Sequence, residues 1–596
     1  MIRLVLRYLK GPARAFAIAA PFMMLIEVFM DLQQPTFMAR IIDVGVANRD
    51  LRYVLSTGLA MVLMAAAGFA GGALCSLFAA RAAVSAGGGI REGLFRKVQS
   101  LSYADVDGFR TSSLVTRCTN DVMQVQGMVM MLLRGMVRTP LLLVGSVVMA
   151  FLLSPSLSTV FLLALPFVLG CMALVMWKSA SLFSGAQASL DRVNTIMREN
   201  LLGIRVVKAF SLEGLQEGRF GSSNQELTEA NIRAQDVTFL LMPAVMLAMN
   251  ACIVAVLWFG GGMVKAGSLE IGKIMAFINY LVQITNSTIM AANLVINLSR
   301  AIASSTRINE VLDRAPSLPA PASRAAPASL PALASQAAPT AQSAVPPAFD
   351  IEFRNVTFAY AGAREAALCD ISFRLGEGGS LGIIGATGSG KTSLASLLPR
   401  LYDASSGQVL VGGMDVRDWD LPALRRTVAF VTQESLLFSG TVESNLRYGR
   451  EDAGPADFES ALADAQALGF VNALPEGVGA PVEQRGHNFS GGQKQRLSIA
   501  RALLHDARIL VLDDSTSAVD LGTEARLRAA LAVRERGRTV VVIAQRVSAL
   551  MGCDRILVLD FGRMSALGTH GELLRSSAIY RSIVASQLGE EAVAHA

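Results

Sequence analysis

Gly385-Ala386-Thr387-Gly388-Ser389-Gly390-Lys391-Thr392 is the stretch on which the fold of the C-terminal half turns. It fits G-x-x-x-x-G-K-[ST], a loop whose backbone N–H groups curl around an anion. The apolar run at 381–384 predicts a strand leading in, and 393–398 predicts a helix leading out. That context sets the partial positive charge of a helix N-terminus against the bound phosphates. In such a loop Lys391 reaches the terminal phosphates and the Thr392 hydroxyl holds Mg²⁺. A nucleotide-binding site is the expectation.

Composition puts that site on a membrane protein. The 596 residues are 52% hydrophobic and only 17% charged, with a mean hydropathy of +0.45, too apolar for an ordinary soluble enzyme. The excess lies in the first half. Apolar segments at about 14–38, 53–80, 128–153, 156–177, 238–264 and 272–298 each supply the ~20 residues that cross a bilayer. Short connections (43–52, 154–156, 265–271) alternate with long charged ones (81–127, 178–237). The N-terminus (Arg3, Arg7, Lys10, Arg14) and both long connections are rich in Arg and Lys, which assigns them to the cytoplasm. Six spans with both termini inside follow, and the formal charge of +6 reflects this topology rather than nucleic-acid binding. The first segment is too long for a cleavable signal peptide and lacks a small-residue cleavage site.

Six scattered cysteines with no C-x-x-C pair argue against structural zinc and against a disulfide framework. Arg outnumbers Lys 45 to 8 and Ala is abundant, which points to a GC-rich bacterial genome and hence to a bacterial inner membrane. The stretch 315–348 holds eight prolines and one charge, Arg324, so it reads as a linker. The expected division is therefore an all-α transmembrane domain (1–314), the linker (315–348) and an α/β nucleotide-binding domain (349–596). In the last, strand-like runs at 351–356, 381–384, 428–431, 509–512, 540–543 and 556–559 alternate with helical ones, which predicts a largely parallel sheet.

Two further motifs follow the phosphate loop. Phe489-Ser490-Gly491-Gly492-Gln493 precedes a strong helix pattern, and the apolar run 509–512 delivers Asp513 and Asp514. In this order of motifs the chain resembles the ATP-binding-cassette (ABC) transporters, whose signature L-S-G-G-Q stands here as F-S-G-G-Q. With six spans ahead of the cassette, nearly the whole chain resembles an exporter half-transporter. The resemblance implies ATP and Mg²⁺ as cofactors and two cassettes sandwiching two ATP molecules. Each site then pairs one phosphate loop (Gly385, Thr387, Gly388, Ser389, Gly390, Lys391, Thr392, Ser393) with the other chain's Ser490, Gly491, Gly492 and Gln493. It also implies that Tyr360 stacks on adenine and that Thr392, Gln433 and Asp513 attend Mg²⁺. Asp520, in Ser517-Ala518-Val519-Asp520, would lie on the loop that crosses the dimer interface. The cytoplasmic turns near 102–109 and 209–215 match the coupling helices that dock on cassettes.

Two departures sit at the catalytic positions. Where the family carries a glutamate beside attacking water, this chain has Asp514, one methylene shorter; a displacement of ~1 Å can cost ~10²-fold in rate. Where the family carries a histidine, Gln545 can donate a hydrogen bond but cannot relay a proton. None of the four histidines lies between 506 and 569. A milder departure is Gln484, where exporters usually have Glu. With an intact signature, this combination resembles the non-standard subunit of heterodimeric bacterial ABC exporters, paired with a chain that keeps the Glu and His. The implied function is export of amphipathic or hydrophobic small molecules, drug-like or lipid-like. An ATP-gated channel or regulatory subunit is the alternative. The six spans exclude a soluble DNA-repair ATPase, importers usually carry their spans on separate chains, and no N-terminal Cys/His peptidase domain is seen.

Inside the membrane, Glu27 and Asp31 lie four residues apart on the first span with Gln34 on the same face. Ionisable groups there are costly and often functional. Either they serve transport, Glu27 as a counter-charge for a cationic substrate, or Asp31 reaches the outer interface while Glu27 bonds a neighbouring helix. On the sixth span, Asn279, Gln283, Asn286, Asn293 and Asn297 form one stripe, which lines a cavity or a helix–helix seam.

Overall fold

The computed structural model describes residues 1–318, 348–534 and 537–590; some side chains of the helices Pro155–Leu202, Leu241–Lys265, Ile271–Leu312 and Leu521–Arg534 lie outside the described set. Most of the expected linker 315–348 also lies outside it. The chain divides into two compact units, Met1–Lys97 with Ser112–Arg314, and Val98–Thr111 with Ala315–Ala596.

The first unit is helical. A short helix Ile2–Tyr8 precedes Pro12–Arg40, Leu51–Ser100, Val122–Leu153, Pro155–Leu202, Leu241–Lys265 and Ile271–Leu312. Each begins close to an expected apolar segment, and several run far beyond it, because the backbone hydrogen bonds of a helix do not require apolar side chains. Among the described residues, five helices are long and apolar enough to cross a membrane. The fourth expected span falls on Pro155–Leu202, many of whose side chains lie outside the described residues. Small residues let helices approach: a Cβ on Gly71 would meet the Met23 carbonyl oxygen at 3.0 Å, and one on Gly72 would meet the Glu27 carboxylate at 2.5 Å. On the helix Ile271–Leu312, buried Tyr280 donates to the Leu32 carbonyl at 2.6 Å and meets the Thr36 hydroxyl at 2.9 Å. A π-helical turn at Arg117–Asp121 holds buried Asp121 against the Arg307 guanidinium, with Nε–Oδ2 at 2.8 Å.

The second unit is α/β. Its main sheet has six strands in the order Arg563–Gly568, Arg555–Asp560, Ser380–Gly385, Thr539–Ile543, Ile509–Asp513 and Val428–Val431, parallel except for the terminal hairpin. The strand Ile509–Asp513 is buried at every position, as a parallel strand between helices must be, and its neighbour Thr539–Ile543 is buried or half-buried throughout. The run at 351–356 is a strand, but it belongs elsewhere. It pairs antiparallel with Leu368–Leu375 and Ser406–Val411 in a separate sheet. The two sheets share one hydrophobic core, in which Phe353, Leu394, Leu397, Val511 and Leu557 are almost completely buried.

Candidate nucleotide site

The loop 385–392 runs from the strand Ser380–Gly385 into the helix Lys391–Leu397. Its glycines have local causes. Gly390 has φ +94 and a Cβ there would meet the Ala367 carbonyl oxygen at 2.6 Å, while a Cβ on Gly385 would strike the Ser389 hydroxyl at 2.6 Å. Lys391 Nζ donates to the carbonyls of Gly385 (2.9 Å) and Ala386 (2.8 Å). Burial lowers its pKa, and the Asp514 and Asp513 carboxylates oppose that shift.

Across a cavity of about 320 Å³ the parallel strands deliver acids and amides. Asp513 ends its strand buried; its Oδ1 accepts from the Thr392 hydroxyl at 3.2 Å, while its Oδ2 has no hydrogen-bond partner among the described residues. An orphaned carboxylate oxygen beside a Thr hydroxyl and the Gln433 amide is the hard-oxygen donor set that Mg²⁺ prefers, so these residues fit the metal. Asp514 follows in a left-handed conformation, φ 45, with its N–H on the Ile543 carbonyl at 2.9 Å. One Asp514 oxygen, Oδ2, accepts from two amides, Gln545 Nε2 at 3.0 Å and Gln433 Nε2 at 3.3 Å. Burial raises the pKa of both aspartates; the Thr392 hydroxyl opposes this at Asp513, as do the Gln545 amide and then Lys391 at Asp514.

Tyr360 stands at the rim, 39% exposed, with its hydroxyl 2.9 Å from that of Ser393. It lines the cavity with Thr387, Gly388, Lys391, Thr392 and Gln545. The signature does not line it. Ser490, Gly491, Gly492 and Gln493 open a different helix, Gly491–Leu504, as a capping box: Gln493 N–H donates to Ser490 Oγ (3.3 Å) and Ser490 N–H to Gln493 Oε1 (2.8 Å). A Cβ on Gly492 would meet the Ala518 carbonyl oxygen at 2.7 Å. Asp520 accepts from the Thr523 N–H at 2.9 Å and so caps the helix that follows it. Gln484 lies in the short turn Gln484–Gly486.

The family model for the ABC transporter transmembrane region matches residues 17–288, and the ABC transporter model matches 368–517. The chain is 39% identical over 586 residues to the uncharacterized ABC transporter ATP-binding protein YfiB of Bacillus subtilis, covering 98% of each chain. The chain belongs to the ABC transporter family. It is also 32% identical to the ATP-dependent lipid A-core flippase of Pseudomonas putida, over 92% of this chain and 87% of that one. Its fold matches a bacterial Atm1-family ABC exporter with ATP bound, at a TM-score of 0.77 and 26% identity, covering 96% and 98% of the two chains. This ABC protein therefore has the architecture of an exporter half-transporter, a multi-pass membrane protein whose cassette couples ATP hydrolysis to transport.

Some side chains important to the arrangement were not singled out by sequence reasoning. Arg138, on Val122–Leu153, lies 3.1 Å from Glu27 and 2.9 Å from Asp31. The expected counter-charge of Glu27 is thus already matched within the transporter, and Asp31 faces the same guanidinium. An Arg in an apolar run was the available signal. Buried Gln495 ties the signature helix to the next loop, donating to Ser517 Oγ at 3.2 Å and accepting from Ala518 N–H at 3.0 Å. The amide stripe divides. Gln283 accepts from Ser146 at 2.9 Å and donates to the Asp31 carbonyl at 3.4 Å, so it is part of a helix seam, whereas Asn279 and Asn286 are exposed. The side chain of Asn293 lies outside the described residues.

Proposed function

We propose that this chain is one half of a heterodimeric ATP-driven exporter of the bacterial inner membrane, with six spans, both termini cytoplasmic, and a nucleotide site of its own that retains ATP and turns it over slowly. One observation carries the reading: Asp514 and Gln545 stand hydrogen-bonded to each other where a base and a charged relay are needed, beside an intact phosphate loop. In this reading Tyr360 stacks on adenine, the loop from Gly385 to Ser393 binds phosphates, and Thr392, Gln433 and Asp513 hold Mg²⁺. Bound Mg²⁺ would neutralise charge on the β- and γ-phosphates. Ser490–Gln493, outside the chain's own cavity, would complete the partner's ATP site and leave most turnover there.

The substrate class we infer is amphipathic or hydrophobic small molecules, drug-like or lipid-like. The flippase relatives, at 30–32% identity, support a lipid-like one. The named relatives include flippases and an exporter, which favours pumping over an ATP-gated channel. The chain should be purified alone and together with a candidate partner half-transporter from the same genome. Only the pair should show substrate-stimulated ATPase, and a fully active homodimer overturns the heterodimer reading.

A further inference from the structure

A second cavity, of about 410 Å³, lies wholly within the helical unit, between Pro12–Arg40, Leu51–Ser100 and Val122–Leu153. Four charged side chains line it: Glu27, Asp31, Arg134 and Arg138. All four lie inside expected spans, where an ionisable group is costly and marks a functional pathway or a pairing. The wall supplied by Leu51–Ser100 includes the small residues Gly68, Gly72 and Ala73, so the space between the charges stays open. Phe69 lines the same cavity and is 79% exposed.

These charges do not cancel in place. Arg138 Nε lies 3.1 Å from Glu27 Oε1 and Arg138 Nη2 lies 2.9 Å from Asp31 Oδ2, so one guanidinium serves two carboxylates. One unit of negative charge is left over at the acid pair. Glu27 Oε2 is buried with no hydrogen-bond partner among the described residues, and it occupies the space that a Cβ on Gly72 would need, 2.5 Å away. Arg134, one turn before Arg138, is exposed and has no hydrogen-bond or ion-pair partner among the described residues. The cavity therefore holds one unmatched negative site and one unmatched positive site, with an aromatic ring in its lining.

We propose that this cavity binds the zwitterionic head of an amphiphile, with an ammonium at Glu27 and Asp31 and a phosphate or carboxylate at Arg134. The proposal rests on the reading of the transported molecules as amphipathic, and it names their head group. An uncharged head leaves both sites unmatched in a medium of low dielectric, where an unmatched charge is costly. A purely cationic head answers the carboxylates and leaves Arg134 alone, and a purely anionic one does the reverse. Only a head that carries both charges satisfies both sites. The ring of Phe69 offers a π-face to an ammonium. Arg134 can hold a phosphate or carboxylate through two parallel N–H bonds.

The test uses octyl amphiphiles that differ only in their heads: octylphosphocholine, N-octyl betaine, octyltrimethylammonium and octyl phosphate. Binding to the full-length chain in a neutral maltoside detergent is measured by equilibrium dialysis, above the uptake by protein-free micelles. The better zwitterion should bind about tenfold tighter than either singly charged head, the scale of one charge-assisted hydrogen bond. Which zwitterion that is tells a phospholipid-like head from a carboxylate one. Arg134→Gln should bring the zwitterions down to the level of the cation, and Asp31→Asn should bring them down to that of the anion. Arg134→Glu should move the preference to the cation, a gain that a misfolded variant cannot show. Equal binding of all four heads overturns the proposal, as does a zwitterion preference that survives both Arg134→Gln and Asp31→Asn. The reading of amphipathic transport is judged separately, by the ATPase of the assembled transporter. If no amphiphile of any head stimulates it, that reading fails; stimulation without preference among the heads overturns the head-group assignment alone.

Discussion

The two walls of the nucleotide cavity contrast in what they hold. One is the loop 385–393, whose glycines are required by close backbone and side-chain neighbours and whose lysine and threonine stand where phosphate and metal chemistry needs them. The other is formed by the ends of the strands Ile509–Asp513 and Thr539–Ile543, just beyond which Asp514 and Gln545 are hydrogen-bonded to each other. Backbone geometry constrains the first wall: a side chain on Gly385 or Gly390 collides with a neighbour. The second wall is set by hydrogen bonds instead: Asp514, just past its strand, accepts from the Gln545 and Gln433 amides. In the reading proposed above, holding a nucleotide and hydrolysing it depend on different residues, so the second capacity can change while the first persists.

The strongest test of this contrast exchanges the second wall. Asp514→Glu with Gln545→His in the assembled transporter should raise turnover at this site about 10²-fold, the scale of a positioned general base. Single-turnover hydrolysis in the proposed heterodimer, with the second chain's site disabled, measures it. If the unaltered site already turns over as fast as the partner's, the contrast between the walls has no functional meaning. The Glu must also adopt the left-handed backbone of Asp514, which costs it slightly more than Asp.

A smaller effect is expected at the first wall. Lys391→Ala should weaken ATP binding at this site about 10–100-fold, the worth of one or two charge-assisted hydrogen bonds, and leave the partner's site close to unaffected. Photolabelling with an ATP analogue, read on the separated chains, distinguishes the two sites. Equal loss at both would mean that the walls are not independent.

The smallest effect is on pH. Burial raises Asp513 above the ordinary aspartate value of 3.8, and a metal ligand must be deprotonated. If Asp513 holds Mg²⁺ as proposed, a proton competes with the metal sooner than at a solvent-exposed aspartate as pH falls from neutral, and Mg²⁺-dependent ATP affinity should fall on the acid side of neutrality. Asp513→Asn should flatten that slope, and a slope unchanged in the variant assigns it to another group.

Much of this was legible in the sequence for reasons that are local. The strands at 381–384, 509–512 and 540–543 are short apolar runs that can only be buried, and the signature Ser490-Gly491-Gly492-Gln493 is a capping box within four consecutive residues. What escaped was non-local. The strand at 351–358 reads like the parallel ones, yet its partners are Leu368–Leu375 and Ser406–Val411, and neither run was recognised as a strand. Arg138 pairs with residues 107 and 111 positions away, a contact that no helical periodicity can announce.

From the sequence alone came the apolar segments, the phosphate loop, the order of the cassette motifs and the two catalytic departures, because each is written in adjacent residues or in a short repeat. Tertiary structure alone decided that Arg138 answers Glu27 and Asp31, that Gln283 joins a seam while Asn286 stays exposed, and that the signature lies outside its own chain's cavity. Those are distances between segments far apart in the chain, and they are set by how closely helices and strands can pack, which depends on every side chain between them at once.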